Sequence, residues 1–478
     1  MSPPQSLVVV PAVCPTSPPL MKTSKSSSFT MEEVRTRVQN GEILIVYDGK
    51  VYKLNKWIKH HPGGELAVRH MLGKDATDVV RAMHPEWVLT KKMKHFYVGD
   101  MIEDPLASLH PNADLKTQQS ISEAYKRLET KIRGQGLYNT NYMCYAWEAI
   151  RCGIAFAIML SLIVWGPQNY WNYFIAALAN AFVWHQSAFC AHDAGHNEIT
   201  HNMKYDSTIG ILLGNYLGGL SIGWWKKSHN VHHIITNHPE HDPDIQLLPF
   251  FAVTSKFFNN LFSTYHNKVL VFDGASKVLI SIQHYLYYPI LCFGRFNLYV
   301  QGLIFLITDE HAPLRKWELL GMAFFISWYS YLLSFIPSWG MIFMYVMVSH
   351  VFTMMLHVQI TLSHYGMSTD DHGPDESFAS RQLRTTMDVD CPAWFDWFHG
   401  GLQFQTIHHL FPRVPRHNLR AVRPLVEEFC KEVELEYHNY GFIKGNGIVI
   451  GALRDVANQV SFIMKVAAHE ARNHVHVE

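Results

Sequence analysis

Residues 174–196 read FIAALANAFVWHQSAFCAHDAGH, an apolar run that ends in two histidines four positions apart. The part from 174 to 191 approaches the ~20 residues that a helix needs to cross ~30 Å of hydrocarbon. Side chains four positions apart lie on the same face of a helix, so His192 and His196 share one face at its end. The stretch predicts a membrane helix that presents two imidazoles where it leaves the bilayer.

Further apolar stretches complete two predicted membrane hairpins, 149–165 with 174–191 and 319–336 with 341–362. The turns inside the hairpins contain aromatic residues and no Lys or Arg. Basic residues lie outside the hairpins, at Lys204, Lys226, Lys227, Lys256, Lys277, Arg315 and Lys316. The positive-inside rule then places both turns on the non-cytosolic side and both termini in the cytosol.

The overall composition agrees with a membrane protein. The 478 residues are 48% hydrophobic and only 17% charged, which disfavours the alternative of a large soluble protein with buried helices. Lys+Arg and Asp+Glu both number 40, so no net basic charge points to nucleic acid. Residues 278–307 are also apolar, but Pro289 and Arg295 interrupt them, which favours an interfacial or re-entrant segment.

Histidine is the most informative residue type, because the chain has 30 of them and no run that resembles a purification tag. Two more clusters place imidazoles at helical spacing, His229-Asn230-Val231-His232-His233 and Gln405-Thr406-Ile407-His408-His409. His364 follows the fourth predicted membrane helix, so the hairpin topology puts all these groups on one side of the membrane. The seven cysteines show no CxxC spacing and predict no disulfide framework.

The number of histidines indicates two metal ions. Zinc normally takes three or four protein ligands, so eight clustered histidines exceed one zinc site. Imidazole suits zinc, copper or iron, and ligand type alone leaves copper open. The first cluster is not the zincin motif HExxH, because no Glu follows His192 to act as a base.

The N-terminal third contains a different pattern. Residues 1–28 are rich in Pro and Ser and predict disorder, whereas 29–104 predict a compact domain with strands at 43–46 and 51–52. His61-Pro62-Gly63-Gly64 by itself could be only a turn. With His84-Pro85, and with Val51 to Leu54, Trp57 and Asp75 to Asp78, it resembles the cytochrome b5 fold. That resemblance implies that His61 and His84 are the axial ligands of haem b, a one-electron carrier.

The three histidine clusters, their order and the b5-like domain resemble the front-end membrane desaturases. Gln405, in place of the first histidine of the third cluster, is that subgroup's mark. The resemblance implies an all-α membrane di-iron desaturase domain, with two transmembrane hairpins and a cytosolic helical cap, fused to a small α+β cytochrome b5-like domain. We expect a linker with amphipathic helices at 105–148, the desaturase domain at 149–450 and a C-terminal tail helix at 451–478.

The resemblance also implies the site. Its iron ligands would be His192, His196, His229, His232, His233, His364, His408 and His409. Gln405 would be either a weak metal ligand or a group that holds water or an imidazole N–H. Side chains that orient the ligand rings, or that serve only as loop caps, are Asp193, Asn230, Asp242 and Asp244. Residues 394–444 are expected to fold over the metal face, with Arg416, His417 and Asn418 near it.

Details around the boxes, including Trp224-Trp225-Lys226 and the segment 239–246, look most like fungal delta-8 sphingolipid desaturases. The implied reaction uses O2 and electrons that pass from NADH through cytochrome b5 reductase and the fused haem to two iron ions. The implied substrate is the long-chain base of ceramide, a membrane lipid, and the implied location is the endoplasmic reticulum membrane. Helix faces with Phe182, Trp184, Phe352 and Met355 either line a lipid tunnel or form ordinary packing.

Two alternatives remain at this stage. An acyl front-end desaturase of delta-6 or delta-5 type, or a hydroxylase, would use the same scaffold. A membrane-anchored haem-binding regulator would need no second metal, and it leaves the eight clustered histidines unexplained. The tail from residue 454 is expected to be a packed surface helix, with Val456, Val460, Ile463 and Val466 on its buried face.

Overall fold

The computed structural model describes residues 27–102, 115–309 and 312–474. Most of the predicted disordered segment lies outside these residues, but its last two residues form a strand. The N-terminal elements are β1 (Ser27–Phe29), α1 (Met31–Gln39), β2 (Leu44–Tyr47), β3 (Lys50–Lys53), α2 (Glu65–Arg69), α3 (Thr77–Met83) and β4 (Tyr97–Met101). Residues 27 and 28 therefore belong to the sheet of the compact domain.

These strands form a four-stranded sheet in the order β1-β4-β3-β2, in which β1 runs parallel to β4 and the other neighbours are antiparallel. The hairpin between β2 and β3 turns at Asp48 and Gly49, both with positive φ, as a two-residue hairpin turn requires. Thr30 and Glu33 form a capping box at the start of α1. The predicted strands and the small α+β domain are confirmed.

Helix α4 (Leu115–Gly134) connects this domain to the rest of the chain. It is amphipathic, as predicted for the linker, and it buries Ile121, Tyr125, Leu128 and Ile132. Those side chains pack in one core with Phe411 and Phe429 from the C-terminal part, and the rings of Tyr125 and Phe411 stack at 5.2 Å. The linker helix therefore packs against the C-terminal part of the chain and connects it to the N-terminal domain.

The central region is helical, and its elements are α5 (Tyr142–Trp165), α6 (Tyr170–His196), α7 (Met203–Ile211), α8 (Ile222–Ile234), a hairpin of β5 (Phe262–Ser263) and β6 (Lys268–Val269), α9 (Gly274–Ser281), α10 (Gln283–Leu291), α11 (Gly294–Thr308), α12 (Arg315–Leu333), α13 (Trp339–Val351) and α14 (Met354–Leu362). Asn141 and Asn169 cap the N-termini of α5 and α6 through their side-chain oxygens. The first hairpin is confirmed, although α5 begins at Tyr142 rather than at the predicted 149.

The described residues contain four helices long and apolar enough to cross a membrane: Tyr142–Trp165, Tyr170–His196, Trp339–Leu362 and Phe442–Arg472. Three of them correspond to predicted spans. The predicted span 319–336 corresponds to α12, which is not in this set because charged residues at its start and polar residues along its length lower its hydropathy. It nevertheless packs as a partner of α13, with Phe325, Tyr329 and Tyr345 in one core.

The apolar segment around Pro289 and Arg295 forms α10 and α11, which are bent by 71° at their junction. Such a pair is either a broken span or a re-entrant loop, in agreement with the expected interruption. The buried guanidinium of Arg295 donates to Gly218 O and to the Tyr299 hydroxyl, and it lies 4.0 Å above the ring of Trp184. A cation in apolar surroundings is satisfied by these contacts.

The C-terminal part consists of α15 (Phe378–Thr385), β7 (Asp388–Asp390), α16 (Asp396–His399), α17 (Gln405–Leu410), α18 (Leu419–Glu432), β8 (Asn439–Gly441) and α19 (Phe442–His474). The predicted boundary at residue 450 falls inside α19, so the tail helix begins earlier than expected. Val456 and Val460 are buried on this helix as predicted, whereas Ile463 and Val466 are exposed. The expected packed face thus ends after Val460.

Candidate haem and metal centres

The haem-ligand candidates face each other across the N-terminal domain. His61 lies in the loop before α2 and His84 at the C-terminal end of α3, with ring centres 5.8 Å apart. Two imidazoles on opposite sides of one iron would have ring centres roughly 6 Å apart. The Nδ1 atoms donate to Gly64 O at 2.9 Å and to Val80 O at 3.0 Å, so both Nε2 atoms remain available to a metal. The residues therefore fit a bis-histidine haem.

Both rings are held in the neutral form that metal binding needs. Burial lowers the pKa of His61 despite the bond to Gly64. Burial, together with the nearby His61, lowers the pKa of His84 to about 4. At neutral pH each ring therefore has a free lone pair for iron.

The first candidate metal group combines three separate helices. His192 and His196 come from the last turns of α6, His229 from α8 and His408 from α17. One nitrogen from each of these rings lies within 4.8 Å of the others. Ring-centre distances include 4.7 Å for His192–His196 and for His192–His408, and 5.0 Å for His196–His229. A metal–nitrogen bond of about 2.1 Å places neighbouring ligand rings roughly 4.5–5 Å apart, so this group fits one ion.

The second group consists of His232, His364 and His409. Their ring centres are 4.6 Å apart for His232–His364 and 4.9 Å apart for the other two pairs. His364 follows the end of α14, so the predicted convergence of the second and fourth membrane helices on one metal face is present. Helix α8 supplies His229 to the first group and His232 to the second.

His233 lies between the two groups. Its Nε2 is 3.0 Å from His229 Nε2, and its ring stacks on His409 at 4.1 Å. Its ring is also 4.7 Å from His196 and 4.9 Å from His408. The eight predicted histidines therefore form one continuous cluster, with His233 placed where it can serve either ion.

The chemistry of the cluster matches metal binding. Within the cluster of eight histidines, all of which the structure describes, the buried Nε2 atoms of four rings have no hydrogen-bond partner: His192, His196, His408 and His409. Buried polar atoms are normally paired, so these four indicate a missing electron-pair acceptor. Burial and the neighbouring histidines lower the pKa values of His229, His233, His364, His408 and His409 well below the ordinary range. These five rings are neutral at neutral pH, and together with the unpaired Nε2 atoms they fit a pair of metal ions.

Asp242 orients a ring in the way that the sequence predicts. His232 Nδ1 donates to Asp242 Oδ2 at 2.8 Å, which directs His232 Nε2 toward its group. Although burial acts to lower it, Asp242 and Asp244 together raise the pKa of His232 to about 9. Asp244 lies further away, 3.7 Å from His232 Nδ1. Asp193 lies 3.5 Å from His192 Nδ1 and accepts a hydrogen bond from the Tyr145 hydroxyl at 2.8 Å.

Asn230 does not orient a ligand ring. Its side-chain Nδ2 donates to Gly63 O at 3.2 Å. Gly63 lies in the loop before α2 that contains His61 (the haem-ligand loop), so Asn230 contacts the haem domain. The prediction for Asn230 was wrong because helical spacing turns this residue away from the face shared by His229, His232 and His233. Gln405 belongs beside the second group, with its Nε2 3.2 Å from His364 Nε2.

Sequence analysis did not assign three residues of this region to the site: Gln382, Glu198 and Trp225. Gln382 on α15 accepts from His409 Nδ1 at 2.9 Å and donates to His233 O at 2.9 Å, yet it lies in no motif. Glu198, 1% exposed, lies 3.8 Å from His408 Nδ1, and its position just after the first cluster is a signal that could have found it. Trp225 stacks on His229 at 4.4 Å, and a Cβ at Gly195 would overlap its ring, which explains the glycine in the first cluster.

The expected cap is present. Residues 394–444 contain α17, which supplies the third cluster, and Arg416 pairs with Asp193 at 3.3 Å and with Glu148. His417 accepts a hydrogen bond from the Asn141 backbone N–H at 3.0 Å and so supports the start of α5. Of the tunnel candidates, Trp184 is fully buried in core packing, whereas Phe352 and Met355 are each 39% exposed.

Comparison with known proteins agrees with this geometry. Residues 168–441 match the family model described as "Fatty acid desaturase", and residues 30–102 match "Cytochrome b5-like Heme/Steroid binding domain". The chain therefore belongs to the fatty acid desaturase family and is an oxidoreductase that desaturates lipids. The cytochrome b5-like domain implies haem binding and the family implies a di-iron centre, which excludes the haem-binding regulator without a second metal.

Relatives with known names cover nearly the whole chain. The Delta 8-(E)-sphingolipid desaturase of Komagataella phaffii is 41% identical, over 94% of this chain and 96% of the relative. The protein of the same name from Kluyveromyces lactis is 38% identical, over 92% and 95%. The Acyl-lipid (9-3)-desaturase of Borago officinalis is 37% identical, over 91% and 95%.

Proposed function

We propose that this protein is a delta-8 sphingolipid desaturase that introduces an E double bond into the long-chain base of ceramide. The observation that carries the proposal is the convergence of eight histidines, from α6, α8, α17 and the end of α14, at one end of the apolar helices. Seven of them form two candidate metal groups, and His233 lies between the groups. The delta-8 position and the E geometry are taken from the fungal relatives, to which the chain is similar over most of its length.

In this proposal the chain binds one iron ion with His192, His196, His229 and His408. It binds the other with His232, His364 and His409, and His233 lies between them. Asp242 and Gln382 hold the Nδ1 protons of His232 and His409, so that each ring offers Nε2 to iron. Gln405 is a positioning residue that holds His364, rather than a ninth ligand.

When bound, the iron pair supplies the oxidising chemistry with O2 that an unactivated methylene requires. The net reaction removes two hydrogens from neighbouring carbons, uses two electrons and two protons, and reduces O2 to two molecules of water. The protein binds and orients the lipid and excludes bulk water from the metal face. Trp225 contributes to that exclusion, because its ring covers His192, His196 and His229 at 4.4–5.5 Å.

His61 and His84 would hold a haem, which would supply one-electron transfer from NADH and cytochrome b5 reductase. The protein lies in the endoplasmic reticulum membrane, with the haem domain and the histidine clusters in the cytosol. Support for this orientation comes from the Lys- and Arg-free turns after α5 and before α13, which the positive-inside rule places on the other side. The lipid headgroup would lie near the cytosolic face, because a featureless chain has to be measured from a fixed end.

The test is expression in a yeast that lacks delta-8 desaturation, followed by mass spectrometry of its long-chain bases and fatty acids. We expect long-chain bases with one additional E double bond, and none when His408→Ala replaces the wild type. New unsaturated fatty acids with unchanged long-chain bases would replace the proposal by the acyl alternative, which the similarity to the Borago officinalis desaturase supports. A hydroxylated product would instead indicate the hydroxylase alternative.

A further inference from the structure

The haem-ligand loop directly contacts the second histidine motif, residues 229–233 on α8. Asn230 lies between His229 and His232 on α8, and its Nδ2 donates to Gly63 O at 3.2 Å. Gly63 is two residues after His61, so one hydrogen bond joins the segment that holds the haem ligand to the segment that holds iron ligands. A Cβ at Gly63 would lie 3.3 Å from Asn230 Nδ2 and 2.8 Å from His61 Cε1, so the close approach requires glycine.

Contacts at other points fix the orientation of the haem domain. Arg35 of α1 pairs with Asp375 at 2.9 Å, and the two side chains are only 20% and 8% exposed. Arg81 of α3 pairs with Glu129 of α4 at 2.8 Å, where the glutamate is 1% exposed. Ser122 of α4 also donates to Asp78 of α3 at 2.6 Å. Partly buried pairs of this kind have a defined geometry, unlike ion pairs in free solvent.

An aromatic contact completes the interface. The ring of His70, at the end of α2, lies 4.8 Å from the ring of His241, and His241 stacks on His238 at 4.2 Å. His238 in turn lies 3.6 Å from Asp371. The haem domain therefore touches the desaturase domain at α1, at the end of α2 and at its haem-ligand loop, and it touches the linker helix α4 at α3.

From this arrangement we propose that the haem domain has one fixed position (the seat) against the desaturase domain, in which Asn230 holds the haem-ligand loop against α8. Electrons from the haem would then reach the metal ions through the segment 229–233. Electron transfer slows as the distance between donor and acceptor grows, so a seated domain would deliver electrons faster than one that searches for its acceptor. This inference rests on the proposed function. It adds the route and the residue that sets it.

The test measures oxidation of the ferrous haem in the full-length protein, after reduction by NADH and cytochrome b5 reductase, when O2 and lipid substrate are mixed in. Asn230→Leu removes the donor at similar size, and we expect haem oxidation to slow about fivefold, as for the loss of one hydrogen bond. Reduction of the haem by the reductase and its bis-histidine absorption spectrum should not change. Asn458→Leu, at an exposed position of α19, is the matched control. Wild-type oxidation rates in Asn230→Leu would overturn the inference.

A second arm avoids the neighbourhood of the iron ligands. Arg35→Glu and Asp375→Arg should each slow haem oxidation, on the order of tenfold, because like charges then face each other at the interface. The double variant should recover the wild-type rate. Equal rates in all forms, or a double variant as slow as the single ones, would show that the seat is not used. If Asn230→Leu is found to have lost iron, this arm decides.

The outcome does not depend on the identity of the lipid. Each variant is compared with the wild type on whichever lipid the wild type turns over. If ceramide is not turned over, the proposed function is contradicted. If every variant oxidises its haem at the wild-type rate, only the seat is contradicted.

Discussion

The haem centre and the histidine cluster are built in opposite ways. In the haem domain both axial-ligand candidates donate Nδ1 to backbone carbonyls of their own segments, Gly64 O and Val80 O. In the cluster, the rings of His232 and His409 are held by side chains instead, those of Asp242 and Gln382. The first arrangement is complete within 24 residues, from His61 to His84, whereas the second draws on four separate parts of the chain.

This difference predicts which substitutions each centre tolerates. Backbone carbonyls cannot be removed by substitution, so the haem site depends mainly on its two histidines and on the backbone of its loops. The ring-orienting groups of the cluster are side chains, and each can be removed while the histidines stay. The comparison therefore predicts a graded series of defects at the metal cluster and an all-or-none response at the haem.

The largest effect should come from the ligands themselves. His408→Ala removes one of four rings from the first group, and we expect no detectable desaturated product and a lower iron content with an unchanged haem spectrum. His84→Ala should do the reverse, losing haem while iron is retained. Iron analysis and absorption spectra on the same preparations check both. Loss of both cofactors in either variant would contradict the independence of the two centres.

The next effect should come from a ring-orienting carboxylate. Asp242→Asn weakens the acceptor for His232 Nδ1, and we expect iron affinity to fall about 10–100-fold, as is typical when such groups are replaced. Iron retention during titration with a chelator measures this change. Asp455→Asn, at an exposed position of α19, is the control and should retain iron like the wild type. Normal retention in Asp242→Asn would mean that ring orientation comes from packing alone.

A smaller effect is expected at Gln405. Gln405→Ala removes the amide that lies 3.2 Å from His364 Nε2, and we expect turnover to fall about fivefold with the iron content unchanged. If Gln405 were a metal ligand, the variant would instead lose iron as His408→Ala does. Iron analysis beside product formation distinguishes the two roles.

The smallest effect should be the pH dependence of the interface between the haem domain and the desaturase domain. Burial, with the charges of His241 and Lys74, lowers the pKa of His70 to about 3, and burial, with His238 and Lys74, lowers that of His241 to about 4. Both rings titrate near 6.5 when the domains separate, so the separated form binds more protons below that pH. The interface should be fully stable above pH 6.5 and weaken as pH falls toward 4.

Limited proteolysis between the domains at pH 7.5 and 5.5 measures this weakening. Arg381 and Asp371 also face the two rings, so the pH dependence has to be assigned by substitution. His70→Phe keeps a ring but cannot be protonated, and we expect a smaller change in cleavage rate between the two pH values. Equal pH dependence in His70→Phe and the wild type would assign the effect to other groups.

The sequence predicted those parts of the fold whose residue pattern is complete within one short stretch of chain. The small sheet, the linker helix and three of the long apolar helices follow from alternation, amphipathic periodicity and length. The predicted span 319–336 is the helix α12, whose polar residues keep it out of the apolar set, and the predicted tail helix starts at Phe442 rather than at residue 451. Glu318 at the start of α12 is buried and accepts hydrogen bonds from Ser221 and Asn215. Because these partners lie far from α12 in the sequence, the hydropathy of α12 alone does not reveal them.

By itself the sequence determined which residues could bind metal, because helical spacing fixes the face on which His229, His232, His408 and the other histidines lie. Only the tertiary structure decided which histidines lie close enough together to hold one ion, that Gln382 accepts a hydrogen bond from His409, and that Asn230 donates one to Gly63. Asn230 and Gly63 are 167 positions apart and Gln382 and His233 are 149 apart. Contacts at such separations depend on how the helices pack, and no local pattern in one sequence records them.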